Sequence, residues 1–583
     1  MNTTTPADAP QAQAGEARQL TGAEIIWEIV VAEGVDVVFG YPGGAIMPAY
    51  DAMARYPVRH VLVRHEQGAT HAADGYARAS GRVGVCVATS GPGATNLVTG
   101  LATAMLDSIP MVAITGQVPS TVMGTDAFQE TDVLGVTIPV TKHGFLVTKV
   151  EDIAPTLREA FALARSGRPG PVLVDITKDA QNATCAFEDP GPGRIERPRI
   201  PRPTVTDAQL DAAAALIAQA ERPVILAGHG IIQADARDEL LQLVDVTDAP
   251  VTLTLLGLGV MPDKHGRNMG MMGMHGEPWV NKTIQQADLL IAVGMRFDDR
   301  VTGNLRSYAP KAKKIHLELD PAEIGKVVDV DVGLCGDAKE ILQRLLPRLT
   351  PRKLPEWITH IRSMHEVDIE RDVLNQDLPA DVLLAPQVIH DLWKLTAGQA
   401  IVVTDVGQHQ MWEAQYYKHG IPRGLITSGG LGTMGFALPA AMGAKFACPD
   451  KEVWVVCGDG GFQMTACELS TLAQEGIKVH VAIINNGYLG MVRQWQEFFY
   501  ESRYVSTPMR SPDFVKLAEA HGLPALRVTE RSQIPDAVAR ARAAHETCVV
   551  EFRVLSEDNV FPMVASGRDL DDMIRRPSRS EVK

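Results

Sequence analysis

The stretch that most constrains this chain runs from Cys457 to Asn486. An apolar strand, Val453 to Val456, ends in Gly458-Asp459-Gly460-Gly461. A helix-period segment follows to about Gln474, Gly476 stops it, and a second strand, Val479 to Ile484, ends in Asn485-Asn486. A strand–helix–strand crossover in a parallel sheet returns both strand ends to one edge. That order places Asp459 beside Asn486, one charged and one neutral oxygen donor. The pair suits Mg²⁺, which takes one or two carboxylates and completes its octahedron with phosphate oxygens and water. Gly458, Gly460 and Gly461 let the backbone approach a diphosphate closely, and the helix start offers free N–H groups. Without the paired asparagines, the same glycines read only as a tight strand-to-helix turn.

The same alternation runs through the rest of the chain. Thr21 and Glu24 have capping-box spacing before a helix. Val35–Phe39, Val61–Val63, Val83–Ala88, Met111–Thr115 and Val172–Ile176 then read as strands, each ending near a glycine or a polar loop. A second series has strands at Val224–Ala227, Val251–Leu255, Leu289–Val293 and Ile315–Leu319, and a third begins with helix Pro386–Leu395 and strand Ile401–Thr404. Strands separated by helices predict an α/β chain of three doubly wound parallel-sheet domains, with ligands at the carboxyl ends of the strands. The expected order is a disordered tail (1–18), a first domain (19–185), a Pro-rich linker (186–203), a central domain (204–350), a connector (351–379), a third domain (380–560) and a C-terminal lid or tail (561–583). The helix–strand–loop order of the third domain repeats that of the first, and Thr427-Ser428-Gly429-Gly430 echoes Thr89-Ser90-Gly91-Pro92.

A formal charge of −15 over 583 residues argues against nucleic acid or an anionic membrane surface as partner. Seven cysteines, an odd number with no C-x-x-C pair, read as free thiols of a reducing compartment, so the expected location is the cytoplasm. No apolar run reaches membrane-spanning length.

The GDGG-to-NN pattern resembles the thiamine diphosphate motif of the thiamine-dependent decarboxylase and carboligase superfamily. The resemblance implies Asp459, Asn486 and the Tyr488 backbone carbonyl as Mg²⁺ ligands. It implies diphosphate contacts from Gly407, Gln408, His409, Gly458, Gly460 and Gly461, and contacts to the cofactor's middle from Gly432 and Met434. His65-Glu66-Gln67-Gly68-Ala69 looks like the segment that supplies the superfamily's catalytic glutamate. By position alone Glu66 would be a helix-start acid favoured by the dipole. By resemblance it shares a proton with N1′ of the aminopyrimidine, from an apolar setting that raises its pKa.

Gly40-Tyr41-Pro42-Gly43-Gly44, Thr125 to Glu130 and Val174 to Asp179 narrow the resemblance to the acetohydroxyacid (acetolactate) synthase family, large catalytic subunit. It makes the three domains pyrimidine-binding, FAD-binding and diphosphate-binding in turn. Phe128, Gln129 and Lys178 then line the active-site entrance. FAD falls to Gly228, Gly230, Thr254, Leu255, His275, Gly294, Arg296, Asp298, Glu318 and Asp337, although the family more often carries Asp at the position of Glu318. Arg300 is given the carboxylate of the second keto acid, and Trp495, on a helix with Met491 and Val492, lines the substrate channel. Read without the resemblance, Arg296 to Arg300 is a surface ion-pair cluster and Met434 a gap-filling core methionine. The implied reaction decarboxylates pyruvate and transfers the two-carbon unit to pyruvate or 2-oxobutyrate, the first common step of branched-chain amino acid biosynthesis. The alternatives are a flavin-dependent pyruvate oxidase or another thiamine diphosphate carboligase. The implied partners are a homodimer or dimer of dimers and a separate regulatory small subunit.

Overall fold

The computed structural model describes residues 18–192, 204–368, 371–375, 379 and 381–577. Most of the expected tail, the later part of the linker, part of the connector and the last six residues lie outside the described residues. Three six-stranded parallel sheets follow one another along the chain. Their central strands are apolar on both sides, as buried parallel strands must be. Alternate residues feed separate cores: Phe39 and Cys86 face one cluster while Val38 and Val85 face another.

In the first sheet, Val37–Gly40, Arg59–Leu62, Gly84–Ala88, Met111–Gln117, His143–Val147 and Pro171–Thr177 stand in the spatial order 2-1-3-4-6-5, counted along the chain. The third sheet, Ile401–Thr404, Leu425–Thr427, Val453–Gly458, His480–Asn485, Ala525–Val528 and Cys548–Arg553, has the same order. The resemblance of first and third domains is therefore one of topology. The Thr-Ser-Gly echo is not part of it, because Thr427 ends the second strand of its sheet whereas Thr89 follows the third. The central sheet differs: Pro223–Ala227, Val251–Leu253, Asn268–Met271, Leu289–Val293, Lys313–Glu318 and Val332–Cys335 stand in the order 3-2-1-4-5-6. That is the doubly wound dinucleotide-binding order, with its switch point between Pro223–Ala227 and Leu289–Val293.

The first and third domains share one core. Phe39, Val61 and Ala73 from one and Val403, Phe436 and Val455 from the other belong to a single buried cluster. Helix Glu66–Ser80 packs on helix Ala437–Ala447, and each contributes a glycine where the other's backbone comes closest. A Cβ on Gly75 would collide with the Ala440 carbonyl, and one on Gly443 with the Ala72 carbonyl.

Several boundaries move. The Thr21–Glu24 capping box forms, with Thr21 N–H donating to Glu24 Oε2 at 2.9 Å. Arg18, expected to close the tail, opens strand Arg18–Thr21, which pairs antiparallel with Thr184–Phe187 and draws the first linker residues into the first domain. Residues 561–577, expected as a lid or tail, contain strands Met563–Val564 and Met573–Ile574, paired antiparallel and packed beside Phe297 and Val301 of the central domain. Among the described residues no helix is long and apolar enough to cross a membrane.

Candidate functional site

The parallel register sets Gly458 opposite Ile484, so Asp459 and Asn486 leave adjacent strands side by side. Asp459 opens helix Asp459–Thr465 and is buried; it accepts from Ser511 Oγ at 2.8 Å and from the Asn486 backbone N–H. Burial pushes its carboxyl up to about 6, a cost that a bound divalent cation would remove. The Asn486 amide is fixed at both ends: Nδ2 donates to Gln408 Oε1 at 3.1 Å, and Oδ1 accepts from Tyr488 N–H at 3.1 Å. The segments expected to hold metal and diphosphate are thereby tied together.

The glycines close this knot. A Cβ at Gly458 would lie 2.9 Å from His409 Nδ1, one at Gly461 2.5 Å from Asp405 Oδ2, and one at Gly460 2.9 Å from Leu489 and 3.6 Å from Met434 Cε. Met434 is therefore a neighbour of the Asp459 turn. Gly432 is left-handed at φ 70° and Gly407 at φ 149°. His409 is buried, burial lowers its imidazole to about 3, and its Nε2 has no partner. A buried ring nitrogen without a partner beside a glycine turn fits an anionic group arriving there. Among the described residues no three His, Cys, Asp or Glu side chains are grouped to hold a metal. A cation here would depend on Asp459, the Asn486 amide, the Tyr488 carbonyl and phosphate oxygens, a donor set that suits Mg²⁺.

Glu66 is the first residue of helix Glu66–Ser80, and its Oε2 accepts from Asn96 Nδ2 at 2.9 Å. It is half-buried in this chain, without the apolar enclosure expected of it. Phe128 is 87% exposed, and Gln129 is left-handed at φ 60°, where its carbonyl would lie 2.7 Å from a Cβ at Gly91. Lys178 opens helix Lys178–Asn182 and is half-exposed.

A cleft of about 1490 Å³ runs from the central domain's switch point to the third domain's glycine loops. Gly230, Thr254, Leu255, His275, Gly294, Arg296, Asp298, Arg300, Glu318 and Asp337 all line it, and Gly407, Gly432 and Trp495 stand at its far end. Gly228 does not: it packs on Gly294, whose carbonyl would collide with any Cβ there. Asp298 and Asp337 also serve as N-caps, of helices Asp299–Thr302 and Ala338–Leu345. Glu318 ends its strand, accepts from Leu319 and Asp320 N–H at 2.9 and 3.2 Å, and burial pushes it up to about 7. His275 meets the Pro562 carbonyl through Nδ1 at 3.1 Å. Arg296 and Arg300 make only loose ion pairs, each 3.8 Å from Asp298 and Asp299 respectively, so both guanidinium groups retain donors. Trp495 also borders a smaller cavity of about 440 Å³ against Ala565, Arg568 and Ile574 of the C-terminal hairpin.

One cluster has no local signature in the sequence. Arg78 is buried between Asp74 and Asp107, 2.8 Å from the latter. Asp107 in turn accepts from Gly429 N–H at 3.0 Å and Gly430 N–H at 2.7 Å, while Arg78 Nη1 donates to the Thr427 carbonyl at 2.9 Å. The first domain thus holds the third domain's cleft-lining loop.

Family models match all three domains: the N-terminal TPP binding domain of thiamine pyrophosphate enzymes over residues 20–136, their central domain over 210–345, and their C-terminal TPP binding domain over 405–552. The fold and the Asp459 site thus define a thiamine pyrophosphate enzyme. Among its relatives, the acetolactate synthase large subunit of Corynebacterium glutamicum is 50% identical over 98% of this chain and 92% of its own length. The acetolactate synthase of Mycobacterium bovis is 50% identical over 95% of this chain and 91% of its own. A probable acetolactate synthase large subunit of Methanocaldococcus jannaschii is 45% identical over 97% and 96%. The chain belongs to the acetolactate synthase large-subunit family.

Proposed function

We propose that this chain is the catalytic subunit of an acetohydroxyacid synthase. It decarboxylates pyruvate and joins the two-carbon unit to a second pyruvate or to 2-oxobutyrate. The observation that carries the reading is the Asp459–Asn486 pair beside His409, whose buried Nε2 is unpartnered, in a chain of this family. Asp459, Asn486 and the Tyr488 carbonyl would hold Mg²⁺, and His409 with the neighbouring glycines would hold the diphosphate. Thiamine diphosphate, when bound, supplies the electron sink for decarboxylation. Glu66, with Oε2 occupied by Asn96, keeps Oε1 to share a proton with the cofactor's pyrimidine ring. Arg300 presents a planar fork to the acceptor's carboxylate, and Trp495 an apolar wall to its alkyl tail. The central cleft, at the switch point of a dinucleotide-binding topology, is the place for FAD.

The site requires a dimer on this reading, Glu66 of one subunit facing Asp459 of the other. Large apolar side chains left uncovered on the first and third domains support it: Phe128 at 87% exposure, Ile138 at 73%, Val505 at 68% and Met464 at 59%. A separate small subunit and a cytoplasmic location complete the proposal.

Product analysis of the purified protein with pyruvate, thiamine diphosphate, Mg²⁺ and FAD tests it. Acetolactate with the flavin left oxidised is expected; flavin bleaching without air would make it an oxidase. Acceptor choice gives a finer check, since one methylene in an apolar pocket is worth ~1–3 kcal/mol. Trp495→Leu should erase most of the preference between 2-oxobutyrate and pyruvate, whereas Arg300→Lys should weaken both acceptors. An unchanged product ratio in Trp495→Leu would reduce Trp495 to a packing residue.

A further inference from the structure

Glu468 lies nine residues beyond Asp459 in sequence and ends the short 3-10 turn Ala466–Glu468 of the third domain. It is buried, with 1% of its surface exposed, and among the described residues it forms no ion pair within its own domain. Its carboxylate crosses instead to the first domain. Oε1 accepts from the backbone N–H of Arg64 at 3.0 Å and of His65 at 3.1 Å, and Oε2 lies 3.2 Å from Arg64 N. These are the two residues immediately before Glu66. Thr471 Oγ1 donates to Oε2 at 2.6 Å and fixes the carboxylate's rotation. Gly68, two residues into the Glu66 helix, has no room for a side chain, since a Cβ would strike Glu468 Oε1. Arg64 adds a second tie, its Nη2 donating to Gln474 Oε1 at 2.8 Å.

These contacts leave the Glu66 backbone with little freedom. The strand-to-helix turn before it is anchored from another domain, and its carboxylate is held by Asn96 at 2.9 Å. Charge-assisted bonds from a carboxylate to backbone N–H groups are roughly twice as strong as neutral ones. A catalytic group displaced by about 1 Å loses on the order of a hundredfold in rate.

We infer that Glu468 is a positioning residue for Glu66: it sets the turn from which Glu66 reaches the cofactor and touches no substrate itself. The inference rests on the proton-transfer role proposed for Glu66. It also means that the segment carrying the metal ligand Asp459 at one end sets the proton-transfer group of the same chain at the other.

Hydrogen–deuterium exchange at C2 of thiamine diphosphate bound to the full-length protein with Mg²⁺, and no keto acid, reads Glu66 directly. Calorimetric affinity for the cofactor is the companion measurement. Glu468→Ala should slow exchange by about ten- to a hundredfold while affinity stays within about twofold. Glu468→Gln should recover most of the rate, since one amide oxygen can still accept from both N–H groups. In a Glu66→Gln background, Glu468→Ala should add no further loss. Wild-type exchange in Glu468→Ala beside slow exchange in Glu66→Gln would overturn the positioning role alone. An equal further loss in the double variant would overturn it too, by showing that Glu468 acts elsewhere. Wild-type exchange in Glu66→Gln would refute the Glu66 reading, and the positioning role would fall with it. Should Glu468→Ala fail to fold, Glu468→Asp, charged but one methylene too short, takes its place with the same expected slowing.

Discussion

The first and third domains are the same drawing in different ink. Both sheets run 2-1-3-4-6-5, and the helix that follows the second strand in each, Glu66–Ser80 or Ala437–Ala447, packs against its counterpart. The packing is reciprocal, glycine onto the partner's alanine carbonyl in both directions, as at an interface between two identical surfaces. What differs is the chemistry at the carboxyl edges. The first copy carries Glu66 after its second strand. The third carries Asp459 and Asn486 after its third and fourth. A shared frame thus leaves the loops at one edge free to differ: on the proposed reading one handles a proton and the other holds phosphate and metal. The central domain, ordered 3-2-1-4-5-6, takes no part in that pairing and presents a switch-point cleft instead.

The sharpest way to break this division of labour is to disable one copy at a time. Asp459→Ala should abolish metal-dependent cofactor binding, because a methyl cannot replace a hard anionic donor. Glu66→Gln should leave binding intact and slow the chemistry by ~10²–10⁴-fold. If the sites are shared across a dimer, mixing the two inactive proteins should restore about a quarter of wild-type activity by random pairing. Unchanged calorimetric affinity in Asp459→Ala would remove the third copy's assignment. No recovery in mass-verified hybrids would place both residues in one chain's site.

A smaller effect probes the reciprocal packing. Gly75→Ala and Gly443→Ala each put a methyl into the other helix's carbonyl. Alanine gains up to about 1 kcal/mol in helix propensity, but overpacking a tight contact costs ~1–3 kcal/mol, so both variants should melt lower. The comparison predicts similar losses for the two in denaturant unfolding. A loss confined to one would show that the contact only looks symmetric.

These helices also show what the sequence could and could not disclose. The strand–helix alternation, the Thr21–Glu24 cap and the GDGG-to-NN pair are local patterns, and each is visible in a window of about thirty residues or fewer. Strands His143–Val147 and Asn268–Met271 are hard to see in the sequence because they sit at sheet edges and contain glycine and polar residues, which blur the apolar run. Arg78, Asp107 and Glu468 were beyond reach for another reason. Their cross-domain partners lie far off in sequence, 349 positions for Arg78 and Thr427 and 404 for Arg64 and Glu468. In sequence Arg78 is one more charge on a helix; only the fold turns it into a buried bridge. Gly228, expected at the flavin by resemblance, shows a packing demand the sequence does not disclose: a Cβ there would meet the Gly294 carbonyl.

The smallest expected effect belongs to the central domain and tests its independence from the paired copies. Burial pushes Glu318 from its ordinary 4.5 up to about 7, against the opposing pull of two backbone N–H donors and of Arg168. The folded chain therefore holds this proton more tightly than the unfolded chain does. The stabilisation that follows is fully present below about 4.5 and is lost as pH rises through about 7. Glu318→Gln cannot lose a proton, so the melting temperature of the wild type should fall relative to that of the variant across this window. A few degrees is the expected size, because the side chain stands at the cleft, where water offsets part of the burial. No relative change would mean that the carboxyl ionises as a surface acid does. Repeating the scan in Gly75→Ala should leave the difference intact, since Glu318 and Gly75 share no contact and distant sites act independently. A difference that changed with Gly75 would mean that the central domain is coupled to the helix pair after all.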